Sequence, residues 1–412
     1  MISLTIITIV FVAFLFMLYF SAITFGTYGY VFLSSLIIFY YAMCLYIDHV
    51  LFGMDYFYIA NVSMGMSVFD KEYLYICILY LSFLAPFLLV SKALKQQQYR
   101  RRLSRPTNFT NKRVASIRYY ILLLFIVASL LLFIAQSYGV SRNDLKASAG
   151  ILKTIHSQTI MYLVCIFLLM RKESKLFDPI VLLLYGFFAF VSFEREHMLV
   201  LFLILFYLFG LRKKTIEEYK VNYLMSGSIV VIMTISLSLY KQVVSLFNSG
   251  ALRVEKAFIL HDGIAAFSFT KLDPGVTLLL LKQYFIYDIY EDYRFSYITN
   301  TIKQFVSMFG VGDQISLGNK ATNYYNGGVM GTGFSMILES MLNFAYFGPV
   351  ITGAGAAYLF YRFHHSLTRF GLASDLIATF IMVKLLRTEF AVYRIAQRSP
   401  PLICVPAGPV LH

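Results

Sequence analysis

The amino-acid sequence predicts an all-α, polytopic membrane protein that crosses a bilayer about ten times. Three observations carry this expectation. The first is composition: of 412 residues, 59% are hydrophobic and only 14% are charged, and the mean hydropathy is +0.71. A soluble domain carries roughly 25% charged residues, and no soluble core of this size hides so much apolar surface. The second is the set of apolar runs long enough for a span, which needs roughly 20 residues to cross the hydrocarbon layer. The third is the placement of the basic residues, which gather in a few connections between those runs.

The apolar runs fall at 2–20, 29–51, 73–91, 119–137, 154–170, 177–193, 197–211, 223–244, about 335–361, and 371–388. The first has no basic residues before it and no small-residue cleavage site after it, so it reads as a retained span. The sixth and seventh are separated only by Glu194-Arg195-Glu196-His197 and read as a tight hairpin. Trp is absent, but 32 tyrosines remain to populate the interfacial belts.

The formal net charge of +14 raises the question of nucleic acid. Its location answers against that partner. Lys92, Lys95, Arg100, Arg101, Arg102, Arg105, Lys112, Arg113 and Arg118 share one connection, which the positive-inside rule assigns to the cytoplasm. Counting spans from there, the segments Arg171–Lys175, Arg212–Lys214 and Arg362–Arg369 fall on the same side, and each is basic. Attraction to anionic headgroups, or to a partner, is the alternative for this charge. The same count puts the N-terminus outside, together with 138–153, the Glu194–His197 turn, 245–334 and the end of the tenth span. The cysteines Cys44, Cys77, Cys165 and Cys404 show no paired spacing, so neither a disulfide framework nor a zinc site is expected.

The chain divides into four regions. Residues 1–244 form an N-terminal membrane region of about eight spans. Residues 245–334 form a large extracytoplasmic loop, residues 335–390 a second membrane region of about two spans, and residues 391–412 a proline-rich tail. The loop is charged throughout, and its apolar pieces at 276–287 and 301–309 are too short to span and read as interfacial helices. Neither internal repeats nor paired Gly/Pro-broken spans of the transporter kind occur.

Nucleotide loops, HExxH, GxSxG and a DxD pair are all missing. An enzymatic substrate would therefore arrive at the membrane already activated. Candidate residues lie at the outer ends of spans. Arg195 stands between two apolar runs, where an arginine is costly unless paired or hydrated. Either Glu194 or Glu196 pairs with it, or its guanidinium grips a phosphate in a bidentate fork. Arg387 with Glu389 reads as snorkelling or as a second anion contact. Arg142, with Asp144 and Lys146, reads as a solvated turn or a third one. His261 and Asp262 read as solvated surface or a general base. From Gly327 to Gly348 a Gly-rich turn leads into a helix on which Ser335, Glu339 and Asn343 recur every four residues and share a face. That stripe reads as interhelical hydrogen bonding or as a site.

The segment Gly331 to Gly348 resembles the Gly-x-Gly-x-Ser…Glu-x-x-x-Asn-Phe…Gly segment of bacterial oligosaccharide repeat-unit polymerases, the Wzy-type or O-antigen polymerases. An arginine after a serine before a span (Arg195), a late external loop and an arginine ending a late span (Arg387) agree with that family. The topology match covers most of the chain, and the motif match about twenty residues. After Glu389 the family often continues through a further span. Here Pro400, Pro401, Pro406 and Pro409 prevent one, which weakens the match near Arg387.

The resemblance implies a GT-C-like membrane glycosyltransferase of the bacterial inner membrane, active at its outer face without cofactor or metal. Its partners would be undecaprenyl-pyrophosphate-linked glycan as donor and acceptor, membrane lipid, and a chain-length regulator, with no nucleic acid. Arg195 and Arg387, with Arg294 and Arg142 as further candidates, would bind pyrophosphate. Asn343 would contact substrate, and Glu339 or His261 would orient or deprotonate the acceptor. An O-antigen ligase shares this layout. A flippase or transporter is the reading from another class, although it would want polar residues deep in several spans.

Overall fold

The computed structural model describes residues 4–27, 29–58, 65–99, 268–272, 274–286 and 335–367, the short pieces 211–213 and 219–221, and scattered single positions between 183 and 382. This described part is mostly helical. In chain order it contains α1 (Leu4–Phe25), α2 (Tyr30–Phe52), β1 (Tyr56–Tyr58), β2 (Gly65–Ser67), α3 (Lys71–Tyr99), β3 (Leu211–Lys213), β4 (Tyr219–Val221), α4 (Phe269–Leu272), α5 (Pro274–Ile286), α6 (Met336–Phe344) and α7 (Gly348–Leu367). Among the described residues three helices are long and apolar enough to cross a membrane: α1, α2 and the Lys71–Lys95 part of α3. They correspond to the first three apolar runs.

Among the described residues there are two small antiparallel ladders, with Phe57 opposite Met66 in β1–β2 and Arg212 opposite Lys220 in β3–β4. In the first, β-favouring Tyr56-Phe57-Tyr58 turns Phe57 inward, where it and Met66 are buried against the helices.

The helices sort into two ends. At one, Lys95 of α3 donates to the Thr24 carbonyl of α1 and lies over the Phe25 ring, while Lys92 lies over Phe20. Tyr30, opening α2, packs on Phe360 and His364 of α7. This lysine end therefore gathers the C-termini of α1, α3 and α7 with the N-terminus of α2. The opposite end carries the end of α2, the β1–β2 hairpin, the start of α3 and α4. Since α2 runs against its three neighbours, short connections suffice at each end.

Packing between these apolar helices cannot rest on hydrophobic contrast, because lipid is as apolar as leucine. Close backbone approach and buried hydrogen bonds replace it. Ser21 and Ser35 meet between α1 and α2 with hydroxyl oxygens 3.4 Å apart, and Ser35 also donates to the Val31 carbonyl at 2.7 Å. The Tyr73 hydroxyl of α3 enters the α2 ladder. It accepts from the Tyr46 amide at 3.1 Å and donates to the Ala42 carbonyl at 3.1 Å, the two groups that helical geometry would otherwise pair. Pro86 sits inside α3 and removes the amide that would bond the Ser82 carbonyl. One residue on, α7 comes so close that a Cβ on Gly353 would collide with the Phe83 carbonyl oxygen. Only glycine allows that contact.

The ninth apolar run, about 335–361, is not one helix. α6 has nine residues and α7 twenty, separated by a 3₁₀ turn at Ala345–Phe347. The cause is local. Pro349 has no amide to continue the ladder, and Asn343 turns its side-chain amide onto the Glu339 carbonyl at 2.7 Å. Ala345 then takes φ 49° and ψ −142°, an unfavourable region for a residue with a Cβ. A Cβ on Gly348 would collide with the Ser340 carbonyl oxygen, so α7 begins folded back against α6. At about 13 Å, α6 is too short to span. The apolar piece is helical as expected over its described residues 276–286, and its consecutive leucines Leu278, Leu279, Leu280 and Leu281 are all buried, with α2 and α3 as neighbours.

Tyr73 and Tyr80 are both fully buried in α3, but the Tyr80 hydroxyl has no hydrogen-bond partner among the described residues. Tyr73→Phe should cost about 1 kcal/mol and lower the thermal unfolding temperature of detergent-solubilised protein. Tyr80→Phe should be neutral or stabilising in the same measurement. Equal losses would show that the Tyr73 bonds contribute nothing.

Candidate functional site

The polar groups of the described structure concentrate at the hairpin end, and the last turn of α2 organises them. Asp48 and His49 occupy that turn. The helix then stops at Gly53, whose left-handed backbone (φ 67°, ψ 23°) lets its amide reach the Asp48 and His49 carbonyls.

Asp48 is 1% exposed. Its Oδ2 accepts from the Ser268 hydroxyl at 2.6 Å, the Thr270 amide at 2.8 Å and the Thr270 hydroxyl at 2.6 Å, and its Oδ1 accepts from the Phe269 amide at 2.7 Å. Four donors from one three-residue segment thus meet a single carboxylate, which caps the N-terminus of α4. Tyr40 reinforces the junction by donating to the Phe269 carbonyl at 2.9 Å, and Phe52 stacks on Phe269 with centroids 6.3 Å apart.

His49 faces the other way, toward the hairpin. Its Nδ1 lies 2.5 Å from Asp55 Oδ1, with side-chain exposures of 21% and 55%. The Phe69 ring meets the imidazole edge-on at 5.9 Å, and the Tyr46 ring lies tilted 6.4 Å away. The hairpin holds those neighbours in place. Asp55 accepts the Val68 amide on its backbone carbonyl at 2.9 Å. Asp70 accepts the Ser67 amide at 2.9 Å, and the Ser67 hydroxyl accepts the Phe69 amide at 3.2 Å. Lys282 of α5 then ties the hairpin down, donating to Asp70 and to the Gly65 carbonyl.

The second polar group lies on α6. Ser335 is its N-cap and accepts from the Ile337 amide at 3.2 Å. Glu339 is wholly buried, as are Ser335 and Ser340, whereas Asn343 is partly exposed. The stripe Ser335, Glu339, Asn343 is therefore split in use: the first closes the start of the helix, the second enters the core, and the third turns back along its own helix near the break. The helix packs against α3, α5 and α7.

Of the residues singled out from sequence, Glu339 and Asn343 are thus described, and they are joined through the Asn343 amide and the Glu339 carbonyl. Arg142, Arg195, His261, Arg294 and Arg387 lie outside the described residues. Asp48, His49, Asp55 and Lys282 are not among the residues expected from sequence. A signal existed for the first: it is an acidic residue in an otherwise apolar span, a placement that demands partners. Among the described residues no group of three or more His, Cys, Asp or Glu is arranged to hold a metal ion. Comparison of the chain with protein families, with curated proteins and with solved structures returns no match.

Asp48→Ala would strand four buried donors at once. The loss should reach about 3 kcal/mol, read as a lower thermal unfolding temperature in detergent. Asp48→Asn should lose less, because it keeps one carbonyl acceptor. Unchanged unfolding of both variants would contradict the role given to this carboxylate.

Proposed function

We propose that the protein is a membrane glycosyltransferase that polymerises undecaprenyl-pyrophosphate-linked oligosaccharide repeat units into surface polysaccharide, O-antigen or capsule, at the outer face of the bacterial inner membrane. On this reading the chain makes about ten crossings, the hairpin end of the helices faces outward, and the lysine end faces the cytoplasm. The observation that carries the reading is the Gly331–Gly348 segment. Its resemblance to repeat-unit polymerases is joined by a wholly buried carboxylate, Glu339, on a helix too short to cross a membrane. A carboxylate is costly in such surroundings, and a short helix ending in a strained turn is a poor choice for mere anchoring.

The reaction needs a leaving group, a nucleophile and a base. Cleavage of the anomeric carbon–oxygen bond puts negative charge on the lipid pyrophosphate. Arg195 and Arg387, with Arg294 and Arg142 in support, hold that charge as preorganised cations. The acceptor hydroxyl of a second carrier-linked glycan attacks the anomeric carbon. Glu339 orients a cationic or hydroxyl partner, because full burial closes it to solvent. Asn343 lies nearer the surface for contact with glycan, and His261 is a candidate base.

The test begins with deletion of the gene in its source strain and gel analysis of surface polysaccharide. The expected result is loss of the polymer ladder with retention of one repeat. Accumulation of long carrier-bound glycan would instead indicate a ligase, and an unchanged ladder would end the proposal. In the complemented deletion strain, Arg195→Ala and Glu339→Gln should each reduce polymer by roughly 10²-fold or more. Wild-type polymer from either variant would remove that residue from its role.

A further inference from the structure

We propose that His49, oriented by Asp55, is the general base that deprotonates the acceptor hydroxyl in the polymerisation reaction. The assignment rests on the polymerase reading and deepens it.

Three separate elements converge on one imidazole. The last turn of α2 supplies His49, the entry to β1 supplies Asp55, and the turn between β2 and α3 supplies Phe69. An ionised carboxylate can only accept, so the contact at 2.5 Å is the His49 Nδ1–H donating to Asp55 Oδ1. In the neutral ring that contact selects the tautomer whose lone pair is on Nε2. Phe69 and Tyr46 limit rotation of the ring, while 21% side-chain exposure leaves an approach open. The base is thus preorganised yet reachable, and both conditions are needed for proton transfer. Glu339 meets only the first, being wholly buried.

The surroundings separate this pair from the structural polar contacts nearby. Asp48 is taken up by Ser268, Phe269 and Thr270. Asp70 is taken up by Lys282 and the Ser67 amide. The Lys71–Glu72 pair opens α3. The His49–Asp55 pair also lies beside the junction that fixes the Ser268–Thr270 segment, so the late loop and the base share one anchoring point. In the step itself, the acceptor O–H proton passes to Nε2 and the oxygen forms a bond to the donor's anomeric carbon. The anomeric C–O bond to phosphate breaks, and lipid pyrophosphate leaves with the electron pair. The imidazolium then returns its proton to solvent.

A purely structural reading makes the pair a clip that fastens the hairpin to α2, and the test separates the two. Membranes of the deletion strain carrying each variant are supplied with carrier-linked repeat units extracted from that strain, and the initial rate of polymer formation per amount of protein is measured against the concentration of those units. His49→Gln should lose roughly 10²-fold or more of kcat with KM little changed. Asp55→Asn should lose roughly tenfold of kcat, again with KM little changed. Where His49→Gln fails to accumulate in membranes, the kcat of Asp55→Asn decides alone. A clip would change protein amount without lowering kcat, and that outcome overturns the proposal. So does wild-type behaviour of both variants in a strain that the wild-type gene complements, or a loss of kcat in His261→Gln alone. A deletion that leaves the polysaccharide unchanged overturns the polymerase reading and this assignment with it.

Discussion

The described structure depends most on one carboxylate. Asp48, near the C-terminal end of a helix close to the N-terminus, receives every donor that Ser268, Phe269 and Thr270 direct toward it. A buried carboxylate without such donors would be prohibitively costly. The converse also holds: two amides and two hydroxyls at the start of α4 would be stranded without it. Each side is therefore stable only in the presence of the other, although some 220 residues separate them. Closing so long a loop costs entropy that rises only slowly with length, and four short, charge-assisted bonds offset it. The adjoining helix α5, with its buried leucines and its Lys282 tie to the hairpin, is placed by that contact.

The same constraint governs the rest of the packing. Helices that lie in lipid gain little from hiding leucine, so their specificity comes from close approach and from polar groups that find partners. Tyr73 inside the α2 ladder, Gly353 on the Phe83 carbonyl and Gly348 on the Ser340 carbonyl are three forms of this. Each substitutes backbone contact for hydrophobic contrast. Pro86 adds to it, since the amide missing from α3 lies one turn beyond Ser82 and next to the carbonyl that α7 approaches. The outcome is that α6, which carries Glu339, is held by α3, α5 and α7 in spite of its nine residues.

Much of this frame is legible from the residues themselves, and for physical reasons. The runs 2–20, 29–51 and 73–91 are apolar because their surroundings are, and they form α1, α2 and the central part of α3. The ends differ by a few residues, because helices extend past the apolar stretch into polar ones such as Lys95-Gln96-Gln97. The run 335–361 reads as one long span although Gly348-Pro349 stands inside it. Apolarity reports the environment, whereas the proline reports the backbone, and the backbone decides. In the candidate site, the periodicity of Ser335, Glu339 and Asn343 puts Glu339 on a helix, where it is found. It does not reveal that Asn343 turns its amide onto the carbonyl four residues earlier. The Asp48 junction and the His49–Asp55 pair are illegible for different reasons. The partners of Asp48 lie far along the chain, and nothing local in Ser268-Phe269-Thr270 points to them. His49 and Asp55 are close in sequence, but the hairpin that orients them is only three residues a side, below what alternation can reveal.

The seating of Ser268–Thr270 on the C-terminal end of α2 is the claim on which the placement of α4 and α5 turns. A short bifunctional thiol reagent tests it in native membranes. Phe52→Cys and Phe269→Cys replace two rings whose centroids stand 6.3 Å apart, in a protein whose Cys165 and Cys404 have been replaced and whose Cys44 and Cys77 are buried. With a protease site inserted between the two positions, cleavage should leave the halves joined on a denaturing gel after treatment with the reagent. Adding Asp48→Ala should abolish most of that product. Halves that separate completely in the otherwise native background would contradict that seating.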